Sequence, residues 1–531
     1  MVMAVQSDFP AEEDEHQQEE FVGPTHHPSA PLDEFFDVST TVDPSYIISL
    51  IRKLLPSGSG TNSSCDGVVF DALNQGSPSR AKEGNAAFTS KDGHSELSKK
   101  KSENMDVDNS GEFSHQKGEL EDLCDGLEQS GASVRNEAWE EYGCILWDLA
   151  ASKMHAELMV ENLILEVIFA NLMVCKSQRV IEIVIGICGN LACHEVPMKH
   201  IVLTNGLIEI IVDKLFLDDP QCLCEICRLL TVGLQSGQSI KWCDALQSEP
   251  ILGRIMWIVE NTLNPQLIEK SIGLILAILE SRQEVVDVLL PPMMKMGLTS
   301  LLINLLAFEV SKLMSERKPE RYSILDLLLR VIEALSVIDD HSQEICSSKE
   351  LFELVSCLIK FPDKDEVASC CVAAAVLLAN ILADVTERAS EISQDLSILE
   401  GLLDIFPFAS DDVEARNALW NILARVLVRI RETEMSSSSL NHYVSVLVAR
   451  VDLIEDELLN QQLDDSRHGD ESFCPAASKA DARITSLRRM ISILNQWAAA
   501  KDYSHDSVNA EVIVNDTDVK KLLNCCHKYS K

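Results

Sequence analysis

Four groups of side chains in this sequence have types and spacings that could do chemistry. The segment QCLCEICRLL holds Cys222, Cys224 and Cys227, and Cys224 and Cys227 stand three apart, on one face of a helix. Thiolates so placed could hold zinc or exchange disulfides. Zinc needs four ligands, and no second C-x-x-C or H-x-H pair accompanies them. A redox C-x-x-C belongs at a helix N-terminus in a βαβ context, which the sequence lacks. These cysteines therefore read as core residues at helical spacing, and Cys525-Cys526-His527 is equally too sparse for a metal. Cys193-His194 pairs a nucleophile with a base, but adjacent helical residues point about 100° apart and cannot face each other. His194 is expected to end its helix, where an imidazole meets the terminal carbonyls. Carboxylate pairs such as Asp218-Asp219 and Asp339-Asp340 fit loops and solvated faces in so acidic a chain. Asn190, Asn380 and Asn421 form the fourth group, each an amide that can donate and accept at once.

No Gly-rich phosphate loop, G-x-S-x-G elbow or H-E-x-x-H motif is present. The chain is accordingly read as no enzyme, with no catalytic residues, no metal, no cofactor and no small-molecule substrate.

The elements that carry these residues are helices. Of 531 residues, 46% are hydrophobic but only 5% aromatic. A core of Leu, Ile, Val and Ala suits stacked helices, whose side chains interdigitate between thin cylinders. Lys and Arg number 45 against 84 Asp and Glu, a net charge of −39. Nucleic acids and anionic membranes both require a concentrated basic surface, so neither is an expected partner. A basic segment of another protein fits the sign. The 17 cysteines are scattered, and Cys188, Cys193, Cys227, Cys357, Cys370 and Cys371 lie within apolar helical patterns, as reduced core residues would. The first twenty residues are polar and acidic, unlike a secretory leader. The longest apolar region, Val285 to Phe308, is broken by Pro291-Pro292, so no membrane span is expected. A reduced compartment, nucleus or cytoplasm, follows.

Along the chain, residues 1–42 are acidic and too poor in apolar groups to fold. Residues 43–56 form a short helix opened by Asp43 and Pro44, with Ile47, Leu50, Ile51 and Leu54 on one stripe. Such a helix is marginal alone and is expected to dock on the rest. Residues 57–133 are a disordered insertion rich in Ser, Gly and Asn. Helical periodicity then runs from 134 to 465, punctuated between helices by Pro197, Gly206, Pro220, Pro265, Pro291, Pro292 and others. A loop at 466–479 and a C-terminal helix and tail at 480–531 complete the chain.

The periodicity repeats. Ile181 to Leu215 and Arg330 to Leu358 each read as a long apolar helix, a polar break, a short helix, a hinge (Asn205-Gly206; Ser347-Ser348) and an amphipathic helix. The long-helix signature recurs near Leu191, Leu234, Leu279, Leu335, Ile381 and Ile422, mostly at 41 to 46 residue intervals. The interval from Leu279 to Leu335 is about ten residues longer, which the polar segment Ser315 to Tyr322 accommodates as a loop. Degenerate units are expected at Trp139–Leu149 and Asn441–Leu459. This succession resembles the armadillo repeat, and the fold class expected is an all-α, armadillo/HEAT-like right-handed superhelical solenoid with a long disordered N-terminal region. In armadillo proteins the long helix lines a concave groove. The resemblance thus makes Asn190, Asn380 and Asn421 candidates to pair with the backbone of an extended peptide. Nuclear-import receptors place a Trp four residues before each such Asn. Here Gly186, Val376 and Asn417 stand there, which disfavours that reading. Trp147 and Trp420 are read as core anchors.

A narrower resemblance covers Glu140 to about Glu280. The blocks YGCILWDLA, RVIEIVIGICGNLACHE and LDDPQCLCEICRLLTVGLQSG resemble, in order and spacing, the serum amyloid A-like (saal) protein family. They carry Trp147-Asp148, Ile183 to Cys193, and Asp218-Asp219-Pro220 through Leu230. The resemblance implies an armadillo-like fold, no assigned catalysis, and an association with nuclear localisation and cell proliferation. The expected function is a protein-binding scaffold or adaptor. The competing expectation is a structural subunit of a larger assembly that has no groove ligand.

Overall fold

A computed structural model of the chain describes residues 42–56, 137–431, 435–467, 477–503 and 514–530. The disordered N-terminus and insertion expected from the sequence lie outside the described residues, apart from Val42. Among the described residues every regular element is a helix.

The helices are α1 (Pro44–Lys53), α2 (137–149), α3 (Lys153–Glu161), α4 (Ile164–Val174), α5 (Gln178–Ala192), α6 (Glu195–Leu203), α7 (Leu207–Asp213) and α8 (Pro220–Gln235). Then follow α9 (Ser239–Leu246), α10 (Glu249–Asn261), α11 (Pro265–Leu279), α12 (Gln283–Lys295), α13 (Leu298–Glu316), α14 (Tyr322–Ser336), α15 (Asp339–Cys346) and α16 (Lys349–Ile359). The last are α17 (Ala368–Asp384), α18 (Arg388–Ile392), α19 (Leu396–Ile405), α20 (Val413–Arg429), α21 (Ser437–Ala449), α22 (Val451–Arg467), α23 (Ala477–Tyr503) and α24 (Asp516–Tyr529).

Local chemistry starts many of them. Asp43, Asp219 and Asn264 accept N–H bonds from the first turns of α1, α8 and α11, each followed by a proline whose missing N–H costs nothing there. Gly206 (φ +78°) opens α7 in a left-handed conformation that a residue with a Cβ adopts at a cost. Ser348 caps α16. Pro291 and Pro292, expected between helices, lie inside α12 instead. The carbonyls they leave without a helical donor belong to Asp287 and Val288, both exposed residues. The break in the apolar region falls later, at Gly297 (φ +96°).

The helices come in threes: a short first, an oblique second, and a long third. The third helices α5, α8, α11, α14, α17, α20 and α23 stack in one row, each against the next. The second helices α4, α7, α10, α13, α16 and α19 make a looser row. Tighter packing on one side bends the stack toward the third helices, which line its inner face. This is an armadillo-type solenoid. Its apolar residues form one continuous cluster from Ile47 to Cys526, because no unit can bury its own face alone.

The ends are closed by the atypical segments. Helix α1 packs on α3, burying Ile47, Leu50, Ile51 and Leu54. The Leu54 carbonyl accepts from Trp139 Nε1 (3.3 Å) and Asn171 Nδ2 (2.8 Å), groups supplied by α2 and α4. At the other end α23 continues the inner row, and α24 covers α21, α22 and α23. Arg317 (φ +47°) ends α13 at a turn, and Arg321 folds back onto the buried carboxylate of Glu309 in a two-pronged ion pair. That turn and a 19-residue α13 absorb the long interval of the repeat. Helix α13 and residues 365–384, which include α17, are long and apolar enough to cross a membrane, but both bury a face in the stack.

Candidate functional site

The inner face is built from side chains that reach from one third helix to the one before it. Asn190 on α5 is half-buried and donates to the Trp147 carbonyl of α2 (2.8 Å). Its oxygen accepts from Arg228 of α8 (3.1 Å), which also reaches the Gly186 carbonyl (3.2 Å) and pairs with Glu225 (2.7 Å). Two glycines permit this. A Cβ at Gly186 would stand 2.2 Å from the Trp147 ring, and one at Gly189 would stand 2.6 Å from the Arg228 guanidinium. The Gly186-Ile187-Cys188-Gly189 block is thus the seat for one aromatic and one cation from neighbouring units.

Further along, Ser281 donates to the Leu234 carbonyl (3.2 Å), Ser323 to Glu269 (2.9 Å) and Arg330 to Glu280 (3.0 Å). Asn380 on α17 donates to the Ser336 hydroxyl on α14 (2.9 Å), and Arg425 on α20 donates to the Leu382 carbonyl (3.0 Å). Asn380 is half-buried and Asn421 is exposed. The three asparagines occupy α5, α17 and α20, so Asn380 and Asn421 are on neighbouring third helices and Asn190 is remote from both.

Around α17 the inner face changes character. Its stripe carries Val372, Val376 and Ala379, small and apolar. On one side stand Glu333 and Asp326 of α14, and on the other Asp412 and Glu414 at the start of α20. Burial, then the Glu414 and Asp412 carboxylates, push the Glu333 carboxyl up to about 7. Arg330 opposes the rise but is itself bound to Glu280. Glu333, Asp326 and Glu414 form no ion pair among the described residues. Nothing in the spacing of Glu333 distinguishes it from the chain's other acids, and its neighbours in space are 80 residues away.

The other singled-out residues take structural places. Cys224 and Cys227 are buried, and burial raises their thiols to about 11 and about 12. Cys188, Cys370 and Cys371 are buried too, whereas Cys193, just past the end of α5, is exposed and Cys357 only half-buried. His194 contacts the carbonyl of Ala150 in the preceding unit (3.2 Å), not its own helix end, because that neighbouring carbonyl lies against it in the stack. Trp420 is buried against Phe406 (5.1 Å between rings), and Trp147 is half-buried on Gly186. Among the described residues no group of three or more His, Cys, Asp or Glu could hold a metal.

Fold and inner face define an armadillo-type helical repeat protein. No family model matches the chain. Over 137 residues it is 28% identical to human Protein SAAL1, covering 25% of this chain and 29% of that protein. Over 133 residues it is 27% identical to Protein saal1 of Danio rerio, covering 25% and 28%. The match thus spans less than a third of these relatives' length, and the chain is similar to saal proteins over that part. Among solved structures, an engineered protein aligns at TM-score 0.43 with 16% identity, over 74% of this chain and 84% of that one. A designed armadillo repeat protein bound to the peptide (KR)4 aligns at TM-score 0.36 with 14% identity, over 46% and 94%.

Proposed function

We propose that this chain is a non-enzymatic scaffold whose inner face binds an extended, basic segment of another protein. The observation that carries this reading is the cleft around α17. An apolar floor of Val372, Val376 and Ala379 lies beside Glu333, Asp326 and Glu414, which form no ion pair among the described residues. A Lys/Arg-rich segment would supply the missing charge, and its aliphatic stems would cover the floor. Asn380 and Asn421 lie on the same two helices, and their amides would hold the backbone of such a segment. The free cysteines support a reduced compartment, nucleus or cytoplasm.

Titration with a fluorescent Lys/Arg-rich peptide tests it. Glu333→Gln with Glu414→Gln should weaken binding about tenfold and flatten its dependence on salt. Equal affinity of the double variant, or equal binding of a neutral peptide, would sink the reading.

One observation favours a second reading, a structural subunit of a larger assembly. Trp257 (48% exposed), Leu263 (90%) and Phe308 (45%) lie on α10, the turn after it, and α13, in the outer row. Light scattering of the chain purified from its native source decides this: a fixed large complex supports it, and a monomer removes it.

A further inference from the structure

We infer that an exposed apolar row on the outer side of the first units is a dock for residues 119–128 of this same chain, bound as an acidic amphipathic helix. Met173 stands nine residues after the first residue of α4, Ile164, and Phe216 nine residues after the first residue of α7, Leu207. Val174 follows Met173, and all three side chains are more than half exposed. In the next unit Trp257 stands eight residues after Glu249, the start of α10, and is exposed too. In α16 the residue at the place of Met173, Leu358, is buried. Single exposed apolar residues need no account, but these recur at one place in successive units and form a row.

Packing holds the row together. Helix α4 packs on α7, and the turn that carries Phe216 packs on α10. Arg254 of α10 donates to the carbonyls of Leu215 (2.8 Å) and Leu217 (2.7 Å), on either side of Phe216. Its guanidinium also lies over the Trp257 ring (4.4 Å), so Phe216 and Trp257 are set side by side. Cations stand where the row begins. Arg52 and Lys53 close α1 and Lys176 follows α4; all three are exposed and form no ion pair among the described residues. Beside Phe216, Asp218 is held by Arg254 (2.9 Å) and Asp213 is exposed, so the three cations outweigh the acids there.

The occupant follows from where the described chain stops and resumes. It stops after Pro56 and resumes at residue 137. Both places lie at the Leu54 carbonyl, which accepts from Trp139 of α2 and Asn171 of α4. Asn171 stands two residues before Met173, so residues 57–136 are anchored at both ends beside the start of the row. Within them Leu120, Leu123, Cys124 and Leu127 stand at helical spacing. Glu119, Glu121, Asp122, Asp125 and Glu128 accompany them, with no Lys or Arg between. The chain from Glu128 to residue 137 spans at most about 30 Å, which brings this segment within reach. A helix of this length is about 15 Å long, enough to cross α4 and α7 at an axial separation of about 10 Å. Its apolar stripe covers Met173, Val174 and Phe216, and its acids meet Arg52, Lys53 and Lys176. So short a helix is marginal alone and forms on the surface that the row supplies. The dock lies on the outer row and leaves the inner face open.

The test is hydrogen exchange of the full chain, read by mass spectrometry beside a synthetic peptide of residues 117–130. Residues 119–128 should exchange at least about tenfold more slowly in the chain than in the peptide. Leu120→Asp with Leu123→Asp should abolish that protection, and so should Phe216→Asp. Lys176→Glu should reduce it. Val428→Asp, at an exposed place on α20, should leave it unchanged. Phe216 and Lys176 are exposed, so an unaltered melting temperature will show that the stack still folds. Light scattering at the same concentration should give the mass of one chain. Exchange as fast as in the peptide, or protection untouched by Phe216→Asp, would overturn the dock. Protection found only in a dimer would give the row to a second copy and overturn it as well.

Discussion

The inner face has two halves that solve the same problem differently. From α2 to α8, side chains of neighbouring units interlock: Trp147 lies on Gly186, Arg228 on Gly189, and Asn190 is bonded on both sides. From α14 to α20, the floor is small and apolar, and Glu333, Asp326 and Glu414 beside it form no ion pair among the described residues, the nearby Arg330 being bound to Glu280. The first half is complete in itself and serves cohesion. The second is left incomplete by the protein's own atoms, and incompleteness of that kind is what a ligand relieves.

The comparison can be broken most directly at Gly186. Gly186→Ala drives a Cβ into the Trp147 ring and should cost about 3 kcal/mol in urea unfolding. Ala379→Val, which adds bulk to the open half, should cost well under about 1 kcal/mol yet hinder the basic peptide. Equal costs would mean that the two halves are packed alike.

A smaller effect is expected from Arg228→Ala. It strands Glu225 and the Asn190 oxygen in a half-buried place and should cost about 2 kcal/mol, with no change in peptide affinity. Loss of peptide binding would move recognition into the first half.

Glu333 sharpens the contrast through pH. Its folded carboxyl, near 7, holds a proton more tightly than the unfolded carboxyl, near 4.5. Its contribution to stability is therefore full below about pH 4.5 and lost as the pH rises through about 7. Glu333→Gln should match the wild type at pH 4.5 and exceed it by about 1–2 kcal/mol at pH 8, since each tenfold change in proton affinity is worth about 1.4 kcal/mol and the group is only half-buried. A basic peptide stabilises the charged form, so wild-type binding should release a proton near pH 7 and tighten from pH 6 to 8. Identical pH profiles for the two proteins would remove Glu333 from the cleft's electrostatics.

The smallest change in stability is expected for Asn380→Ala with Asn421→Ala, about 0.5 kcal/mol, because one amide is exposed and the other bonds a single hydroxyl. Peptide binding should weaken while the helical circular dichroism spectrum is unchanged. Normal binding would show that these amides hold no backbone. Unfolding would show that they are structural.

Much of the fold was legible in the chain. The stripe Ile47, Leu50, Ile51, Leu54 and the pairs Asp43-Pro44 and Asp219-Pro220 mark helix faces and starts, because capping and periodicity are local. The spacing of Leu191, Leu234, Leu279, Leu335, Ile381 and Ile422 marks the stack. Pro291-Pro292 misled for a local reason too: proline usually ends a helix, and here exposure of Asp287 and Val288 spares α12. The cleft was less legible. Asn380 and Asn421 could be picked out by their place on the repeat, but the carboxylates beside them could not.

Residue order alone makes this protein a row of helical units with a continuous aliphatic core, since a helix's face depends on residues three and four apart. It took the folded stack to bring Asn190 to Trp147 and Arg228, Glu333 to Glu414, and Arg489 to the carbonyls that end α20. Those pairs lie 38 to 81 residues apart. Their meeting depends on the bend and register of the stack, which come from packing between units and are written in no single one of them.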